Sequence, residues 1–435
     1  MSPKLRLRDG TAQLGRRLPP AAAEQGAADQ VPAAAEGVRG VQSSTTTSNL
    51  QNLVDQARNL ILSNTDDLRP CGAPALALLP HRPLPVLKLA HTKLHAYPWT
   101  AVPYHWRCLY TDAAILHALS LIGEGDTLPE AIKHLDHAII IAGAPRRLSL
   151  IHRLLSSLPS PPLPDSLSAL TTWPPQPHKP GTPGEPTLRF PIPRLQLPPT
   201  SITPSHLTRP VILTNLLASW PALTNWSNPS YILRHTHSGL RHVPIELGRA
   251  YTDAGWGQRI LPLREFLELY ILSSHSGREI AYLAQHDLLL QLPELSEDIA
   301  LPGFITDAGR PVAVNVWFGP EGTVSPLHTD PRDNVFAQVV GRKYVRLYPP
   351  GADVLPRGVE AGGVDMGNTS RVEVEAVDGG EELGEEERRR WAEGAGREGW
   401  VEAVVEAGEC LVIPKGWWHY VRSLETSWSV SFWWG

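Results

Sequence analysis

Cysteine is scarce in this sequence: Cys71, Cys108 and Cys410 are the only three in 435 residues, and no two form a C-x-x-C pair. So sparse and odd a set excludes a disulfide framework and a zinc ribbon, and is what a reducing, intracellular compartment leads one to expect. Long apolar runs are missing as well, since none approaches the roughly 20 residues that span a bilayer. The early basic residues Lys4, Arg6, Arg8, Arg16 and Arg17 lack the apolar stretch of a signal peptide, so a soluble protein is expected. An excess of one charge is absent too. A net charge of -5 leaves no basic footprint, so neither nucleic acid nor a membrane is expected as a direct partner. Proline and tryptophan are plentiful by contrast, at 43 and 14 residues, and the prolines imply long irregular stretches.

Patterning divides the chain into segments. Residues 1–46, rich in Ala, Gly, Gln and Thr, are expected to form a disordered tail. Residues 47–158 read as a helical N-terminal domain. Ser48 and Gln51 suggest a capping box before Leu50, Leu53, Val54, Ala57, Leu60 and Ile61 at helical spacing. Thr127 and Glu130 suggest a second, opening an apolar face of Leu128, Ile132, Leu135 and Ile139 that Gly143 closes, and 112–122 also reads as helix. Residues 159–199 hold fourteen prolines and read as an extended linker. From 200 to 435 short strands follow one another, at 210–214, 242–247, 311–318, 334–340, 343–348, 409–413 and 426–434, with a helix at 263–272. This pattern is mainly β and predicts a barrel or sandwich, with Trp433 and Trp434 in its core. The acidic, Gly-rich stretch 372–399 reads as an inserted solvated loop or short surface helix, with contact to a basic partner as the lesser reading.

Chemistry concentrates in His328-Thr329-Asp330 and in His419, which ends the run Ile413-Pro-Lys-Gly-Trp-Trp-His. On a strand, residues i and i+2 share a face, so His328 and Asp330 can both point inward. A second strand bringing His419 would complete a 2-His-1-carboxylate set, the usual ligand set of non-heme Fe(II) oxygenases. His134-Leu135-Asp136 has the same spacing but lies on a predicted helix, where i and i+2 diverge by about 200° and cannot share an ion. Taken singly, His419 reads as well as a buried structural histidine, and His328 with Asp330 as a surface turn. Lys343 alternates with Val345 and Leu347, so its ammonium would sit on an apolar strand face. A bound dicarboxylate such as 2-oxoglutarate would supply a partner; a solvent-facing lysine is the alternative.

Together these residues resemble the JmjC-domain Fe(II)/2-oxoglutarate oxygenases, and among them the JmjC domain-containing protein 5 (lysine-specific demethylase 8) subfamily. The likeness covers residues 210–435 through Tyr251-Thr-Asp253, Tyr282-Leu-Ala-Gln-His286, Asn315-Val-Trp317-Phe-Gly-Pro320, Ser325-Pro-Leu-His-Thr-Asp330, Gly341-Arg-Lys-Tyr344 and Ser429-Val-Ser-Phe-Trp433. It implies a double-stranded β-helix (a jelly-roll, cupin-like JmjC domain) in which His328, Asp330 and His419 bind iron. It implies that Tyr282, Ser325, Asn334 and Lys343 hold 2-oxoglutarate, with O2 as second co-substrate. Glu246, Tyr251, Trp256 and Trp317 fall where the family lines its substrate channel, although Glu246 alone reads as an exposed strand residue. Thr329 departs from the family's usual residue between the ligands, and the loop 351–399 is unusually long and acidic.

The expected activity is that of a 2-oxoglutarate-dependent dioxygenase acting on a protein or peptide with arginine or methylated lysine. Arginyl hydroxylation is favoured and histone N-methyl-lysine demethylation is the runner-up. A non-catalytic chromatin adaptor is a reading of another class. Residence in the nucleus or cytoplasm follows only from family analogy.

Overall fold

The computed structural model describes residues 42–123, 126–175, 184, 186–198, 201–273, 279–307, 313–359, 365–378, 383–397 and 399–435. The expected tail at 1–46 therefore lies almost wholly outside the described residues, as do 311–312 and parts of the acidic insertion. The chain forms two compact units that divide between Pro159 and Ser160. Among the described residues no helix is long and apolar enough to cross a membrane.

The first unit is helical: α1 (Gln42–Ser63), α2 (Ala73–Leu78), α3 (Pro83–Leu94), α4 (Tyr104–Leu121), α5 (Leu128–Ala142) and α6 (Leu148–Ser157). Neither expected capping box forms. Helix α1 starts at Gln42, which leaves Ser48 in its interior. The Thr127 hydroxyl donates to the Leu121 carbonyl, while Glu130 pairs with Lys133 and His134. Gly143 does end α5, in the left-handed conformation (φ 78°) that glycine adopts without strain. The buried Asp112 carboxylate anchors Arg147 at 2.8 Å across this core.

The second unit carries helices α7 (Asp165–Ser168), α8 (Ala222–Asn225), α9 (Pro229–Arg234), α10 (Leu263–Phe266), α11 (Leu288–Gln291), α12 (Pro293–Ser296), α13 (Gly303–Asp307), α14 (Val374–Asp378) and α15 (Glu385–Glu393). The helix expected at 263–272 is α10 continued by a π-helical turn, Leu267–Ile271. Its strands are β1 (Arg194–Leu195), β2 (Val211–Leu213), β3 (His242–Leu247), β4 (Gly257–Pro262), β5 (Ala281–His286), β6 (Ala313–Gly319), β7 (Val324–Thr329), β8 (Asp333–Val340), β9 (Lys343–Tyr348), β10 (Val401–Val405), β11 (Cys410–Ile413), β12 (Trp418–Ser423) and β13 (Ser427–Trp434). They form a nine-stranded sheet, β1-β2-β11-β8-β13-β6-β5-β3-β4, and a four-stranded sheet, β10-β9-β12-β7.

Three apolar layers result. Phe336, Val345, Leu347, Leu411, Ile413 and Val421 meet between the sheets. Trp428, Val430, Phe432 and Trp434, the apolar alternates of β13, face the other side of the large sheet, where Trp428 stacks on Phe318 at 4.0 Å. Such a pair adds about 0.5–1.5 kcal/mol beyond its burial. The third layer covers the outside of the small sheet, and the insertion supplies much of it through Val372, Val374, Trp391 and Ala395.

Two expectations are corrected here. The insertion does carry a short surface helix, α15, but it is not simply solvated: those four apolar residues are buried, and Glu373 and Glu375 pair with Arg249 and Arg422. Nor is 159–199 a free linker. Leu167 enters the main core, the Trp173 indole donates to the Trp226 carbonyl, and Ile192 N donates to Glu402 O. Prolines confine regular pairing here to the short edge strand β1 and leave the rest to dock by side chains and single bonds.

Candidate active site

Strands β7 and β12 are antiparallel neighbours, and their register sets His419 directly opposite His328. The imidazole centroids are 4.1 Å apart, and His419 Nε2 lies 3.6 Å from Asp330 Oδ2. One ligand atom from each of the three residues lies within 4.8 Å of the other two, an arrangement that could hold a metal ion. Both rings are oriented alike. His328 Nδ1 bonds the Pro326 carbonyl at 2.7 Å and His419 Nδ1 the Trp417 carbonyl at 3.1 Å. A carbonyl only accepts, so the proton sits on Nδ1 and the Nε2 lone pair is left for a ligand.

Local irregularity makes this possible. Ser325 pairs with Val421 and His328 with His419, so β7 spends three residues where β12 spends two. That bulge turns both Ser325 and His328 inward; regular alternation would send them to opposite faces. Pro326 sits within it, tolerated because β7 is the edge of its sheet.

Lys343 is fully buried on the inner face of β9 and donates to the Tyr282 hydroxyl at 2.9 Å. Ser325 also hydrogen-bonds that hydroxyl. Two glycines build this corner. Gly341 takes φ +71° in the β8–β9 turn, where a Cβ would come within 2.2 Å of the Thr426 carbonyl, and a Cβ on Gly319 would meet the Tyr282 ring at 2.7 Å. No carboxylate lies within ion-pair distance of Lys343 among the described residues, and burial lowers its pKa to about 7. Burial likewise raises Asp330 above the usual carboxylate range, and burial beside His328 pushes His419 well down, into the neutral form a metal requires.

A single cavity joins His328, Asp330 and His419 to Ser325 and Tyr282, and Lys343 stands behind the Tyr282 hydroxyl. Tyr282, Trp317, Ser325, His328, Asp330, Asn334, Phe336, Ile413, His419, Val421, Ser431 and Trp433 line the cavity. Asp330 Oδ2, Asn334 Oδ1 and Trp433 Nε1 are buried there without a hydrogen-bond partner. Orphaned buried polar atoms are uncommon and costly, at about 1–3 kcal/mol each. A buried anion, a buried cation and unpaired acceptors around one space fit a divalent metal held by His328, Asp330 and His419, with an anionic ligand reaching Lys343.

The residues assigned to a substrate channel form a wall beside it. Glu246 is the register partner of Tyr282 across β3 and β5. It is largely buried rather than exposed, its pKa raised by burial to about 7, and its carboxylate accepts from the Trp256 indole at 3.2 Å. Tyr251, whose hydroxyl is pushed up to about 12, lies within electrostatic reach of Glu246 and Asp330. The Trp317 indole donates to Ser431 at 3.0 Å. Sequence reasoning missed Trp433, which it placed in the core. It faces the cavity opposite Asn334, on the face that Ser431 shares. The signal was present, since Trp433 alternates with serines rather than with Trp428, Val430 and Phe432.

Fold and site together define a cupin-like β-domain with a 2-His-1-carboxylate centre. The cupin-like domain family matches residues 205–435. The chain is 41% identical over 258 residues to lysine-specific demethylase 8 of Xenopus tropicalis, covering 56% of this chain and 52% of that protein. It is 40% identical over 228 residues to lysine-specific demethylase JMJ30 of Arabidopsis thaliana, covering 52% and 49%. It is 34% identical over 365 residues to lysine-specific demethylase 8 of Danio rerio, covering 80% and 86%. The match thus spans about half the length of the first two relatives and most of the third. The chain belongs to the cupin-like JmjC-domain family.

Proposed function

We propose that this protein is an Fe(II)- and 2-oxoglutarate-dependent protein oxygenase that hydroxylates an arginine side chain. One observation carries the reading: an N,N,O donor triad lines the same cavity as Tyr282, whose hydroxyl accepts from a buried ammonium that lacks a carboxylate. In this proposal His328, Asp330 and His419 hold Fe(II), and Lys343, Tyr282, Ser325 and Asn334 hold 2-oxoglutarate. Bound Fe(II) supplies the oxidation in which 2-oxoglutarate and O2 become succinate and CO2 while the second oxygen atom enters a substrate C–H bond.

The chain's own residues do the rest. Lys343 pairs with the distal carboxylate of 2-oxoglutarate, and the charges close: +2 from iron, -1 from Asp330, -2 from 2-oxoglutarate and +1 from Lys343. Tyr282 and Ser325 fix the direction of that ammonium. Phe336, Ile413 and Val421 keep water from the pairing, which strengthens it. The backbone carbonyls of residues 326 and 417 hold both imidazoles in the ligating tautomer. Glu246 meets the guanidinium of the substrate, with Trp256 orienting the carboxylate and the aromatic wall supplying cation–π contact.

The Xenopus and Arabidopsis relatives, both named lysine-specific demethylases, favour a second reading, removal of a lysine N-methyl group at the same centre. Hydroxylation of an N-methyl carbon gives a hemiaminal that loses formaldehyde, so the carbon presented decides the outcome. The test is succinate release from anaerobically reconstituted full-length protein on admission of O2 with arginine or methyl-lysine peptides, with mass spectrometry of the product. Gain of one oxygen by an arginine peptide is expected. Loss of a methylene unit with formaldehyde would establish the second reading, and no Fe(II) binding or turnover would leave a non-catalytic adaptor. Nuclear residence belongs to the proposal and is tested by imaging the tagged full chain.

A further inference from the structure

The stretch 368–375, which leads from the long loop into the insertion, has no part in the chemistry above, yet it bonds to β7, to the turn between β3 and β4 and to β12. Its first residues close the open edge of the small sheet. Thr329 N donates to Asn368 O at 2.9 Å and Ser370 N to Leu327 O at 2.8 Å, while His328 and Thr369 form an antiparallel bridge. The strand that brings His328 is thus paired on both sides. Thr369 is 1% exposed, and its hydroxyl lies 3.3 Å from the Tyr251 hydroxyl. Glu373 then takes the Arg249 guanidinium at 3.1 Å, and the Arg249 carbonyl accepts from Val324 N at the start of β7. Asp253 caps the Ala250 amide at 3.1 Å. Glu375 accepts from the Tyr420 hydroxyl at 2.8 Å and from Arg422 Nε at 3.0 Å, on the outer face of β12 just past His419.

The turn between β3 and β4, which carries Tyr251 and Trp256, is therefore held by three bonds to one edge: Thr369 to Tyr251, Glu373 to Arg249, and β7 to the Arg249 carbonyl. We propose that Thr369 and Glu373 are specificity-determining positioning residues, which fix the peptide-facing wall of Tyr251, Trp256 and Glu246 at a set distance from the metal-binding triad. The inference rests on the oxygenase reading above for its substrate, but not for its geometry. A substrate carbon misplaced by about 1 Å can cost about a hundredfold in rate, so a mobile wall would uncouple 2-oxoglutarate turnover from product. The insertion, on this inference, gauges the peptide without touching it.

Thr369 offers a clean separation, because its backbone makes the sheet edge and only its hydroxyl reaches Tyr251. Thr369→Val keeps the shape and removes the hydroxyl's bonds to Tyr251 and to the adjacent Asn368 side chain; Thr369→Ser restores them. With full-length Fe(II)-loaded protein and the probe acetyl-Gly-Gly-Arg-Gly-Gly-amide, Thr369→Val is expected to raise peptide KM about three- to tenfold and to leave 2-oxoglutarate KM within about twofold, with Thr369→Ser near wild type. The second variant, Glu373→Gln, is read without turnover. The amides of Asp253 and Trp256, bonded to the carbonyls of Ala250 and Asp253, should exchange hydrogen about tenfold faster, with those of β12 unchanged. Equal peptide KM in Thr369→Val and wild type, or equal loss in the Val and Ser variants, overturns the inference, as does unchanged exchange in Glu373→Gln. A wild type that gives no succinate while Glu373→Gln still loosens the turn overturns the oxygenase reading and keeps the tether.

Discussion

Helix α5 and strand β7 carry the same three-residue pattern, His-x-Asp, and put it to opposite use. On α5, His134 turns to Glu130 at 3.3 Å and to the ring of His117, while Asp136 is buried on another side of the helix. At the end of β7, His328 and Asp330 converge on His419 from the neighbouring strand. Spacing alone carries no chemistry; the backbone decides whether two side chains share a face. The two units differ in the same sense in how they bury charge. Both units pair buried charge, Asp112 with Arg147 at 2.8 Å in the helical unit and Arg346 with Glu402 at 3.5 Å in the β unit, but the β unit also buries Lys343 with no carboxylate partner among the described residues. Removing one partner of a buried pair is costly, and a buried charge without one points to a ligand.

The comparison breaks most visibly at the ligands. Asp330→Ala or His419→Ala is expected to lower Fe(II) affinity at least about a hundredfold and to abolish succinate release, since even residues behind a metal ligand are worth 10- to 100-fold. His134→Ala, the same residue type in the helical copy of the motif, should leave both unchanged in Fe(II) titration and turnover assays.

Lys343→Met comes next. Removing the cation should raise 2-oxoglutarate KM by about two orders of magnitude, the cost of truncating a buried charge pair. The ligand-free protein should gain stability by about 1–3 kcal/mol, because an unpaired buried charge is replaced by an apolar chain of similar size. The pH dependence has a definite sign. Burial holds the folded-state pKa at about 7, below lysine's ordinary 10.5, so between these the unfolded chain binds more protons and stability rises with pH. Denaturation of ligand-free wild type from pH 7 to 9 should show that slope, and Lys343→Met should lose it.

Asp112→Asn inverts this pattern. Leaving Arg147 buried opposite a neutral amide should cost the helical unit about 3–5 kcal/mol in chemical denaturation, with 2-oxoglutarate KM untouched. The smallest effect is expected at Glu246. Its pKa of about 7 leaves it half ionised near neutrality, and only the carboxylate form pairs with a guanidinium. Arginine-peptide KM should therefore fall, by up to about tenfold, as pH rises from 6 to 8, and Glu246→Gln should flatten the profile.

Much of the β unit was legible in the sequence because several of its strands keep period two: β3, β8, β9 and β13 fall close to where alternation put them. The ligand strands were harder. β7 carries a proline and a bulge, and β12 opens on Trp418 straight after a turn, so neither alternates cleanly, although the expected convergence of His328, Asp330 and His419 from neighbouring strands is seen. β4, β5 and β10 lack contrast between their faces. The insertion was misread because its charges outnumber its buried Val372, Val374, Trp391 and Ala395, and composition averages over both. The Pro-rich stretch was misread because proline restricts pairing, here to the short edge strand β1, and says nothing of docking. Trp433 reaches the cavity, and Thr369 reaches His328 and Tyr251, only once the sheets have folded.

Anaerobic calorimetric titration of Fe(II) into the full-length protein, with and without 2-oxoglutarate, probes the centre most directly. One ion per chain is expected, bound more tightly when 2-oxoglutarate is present, with Asp330→Ala abolishing the binding and Lys343→Met abolishing the enhancement. Binding that is absent in wild type, or that survives intact in Asp330→Ala, would contradict a ferrous site at His328, Asp330 and His419.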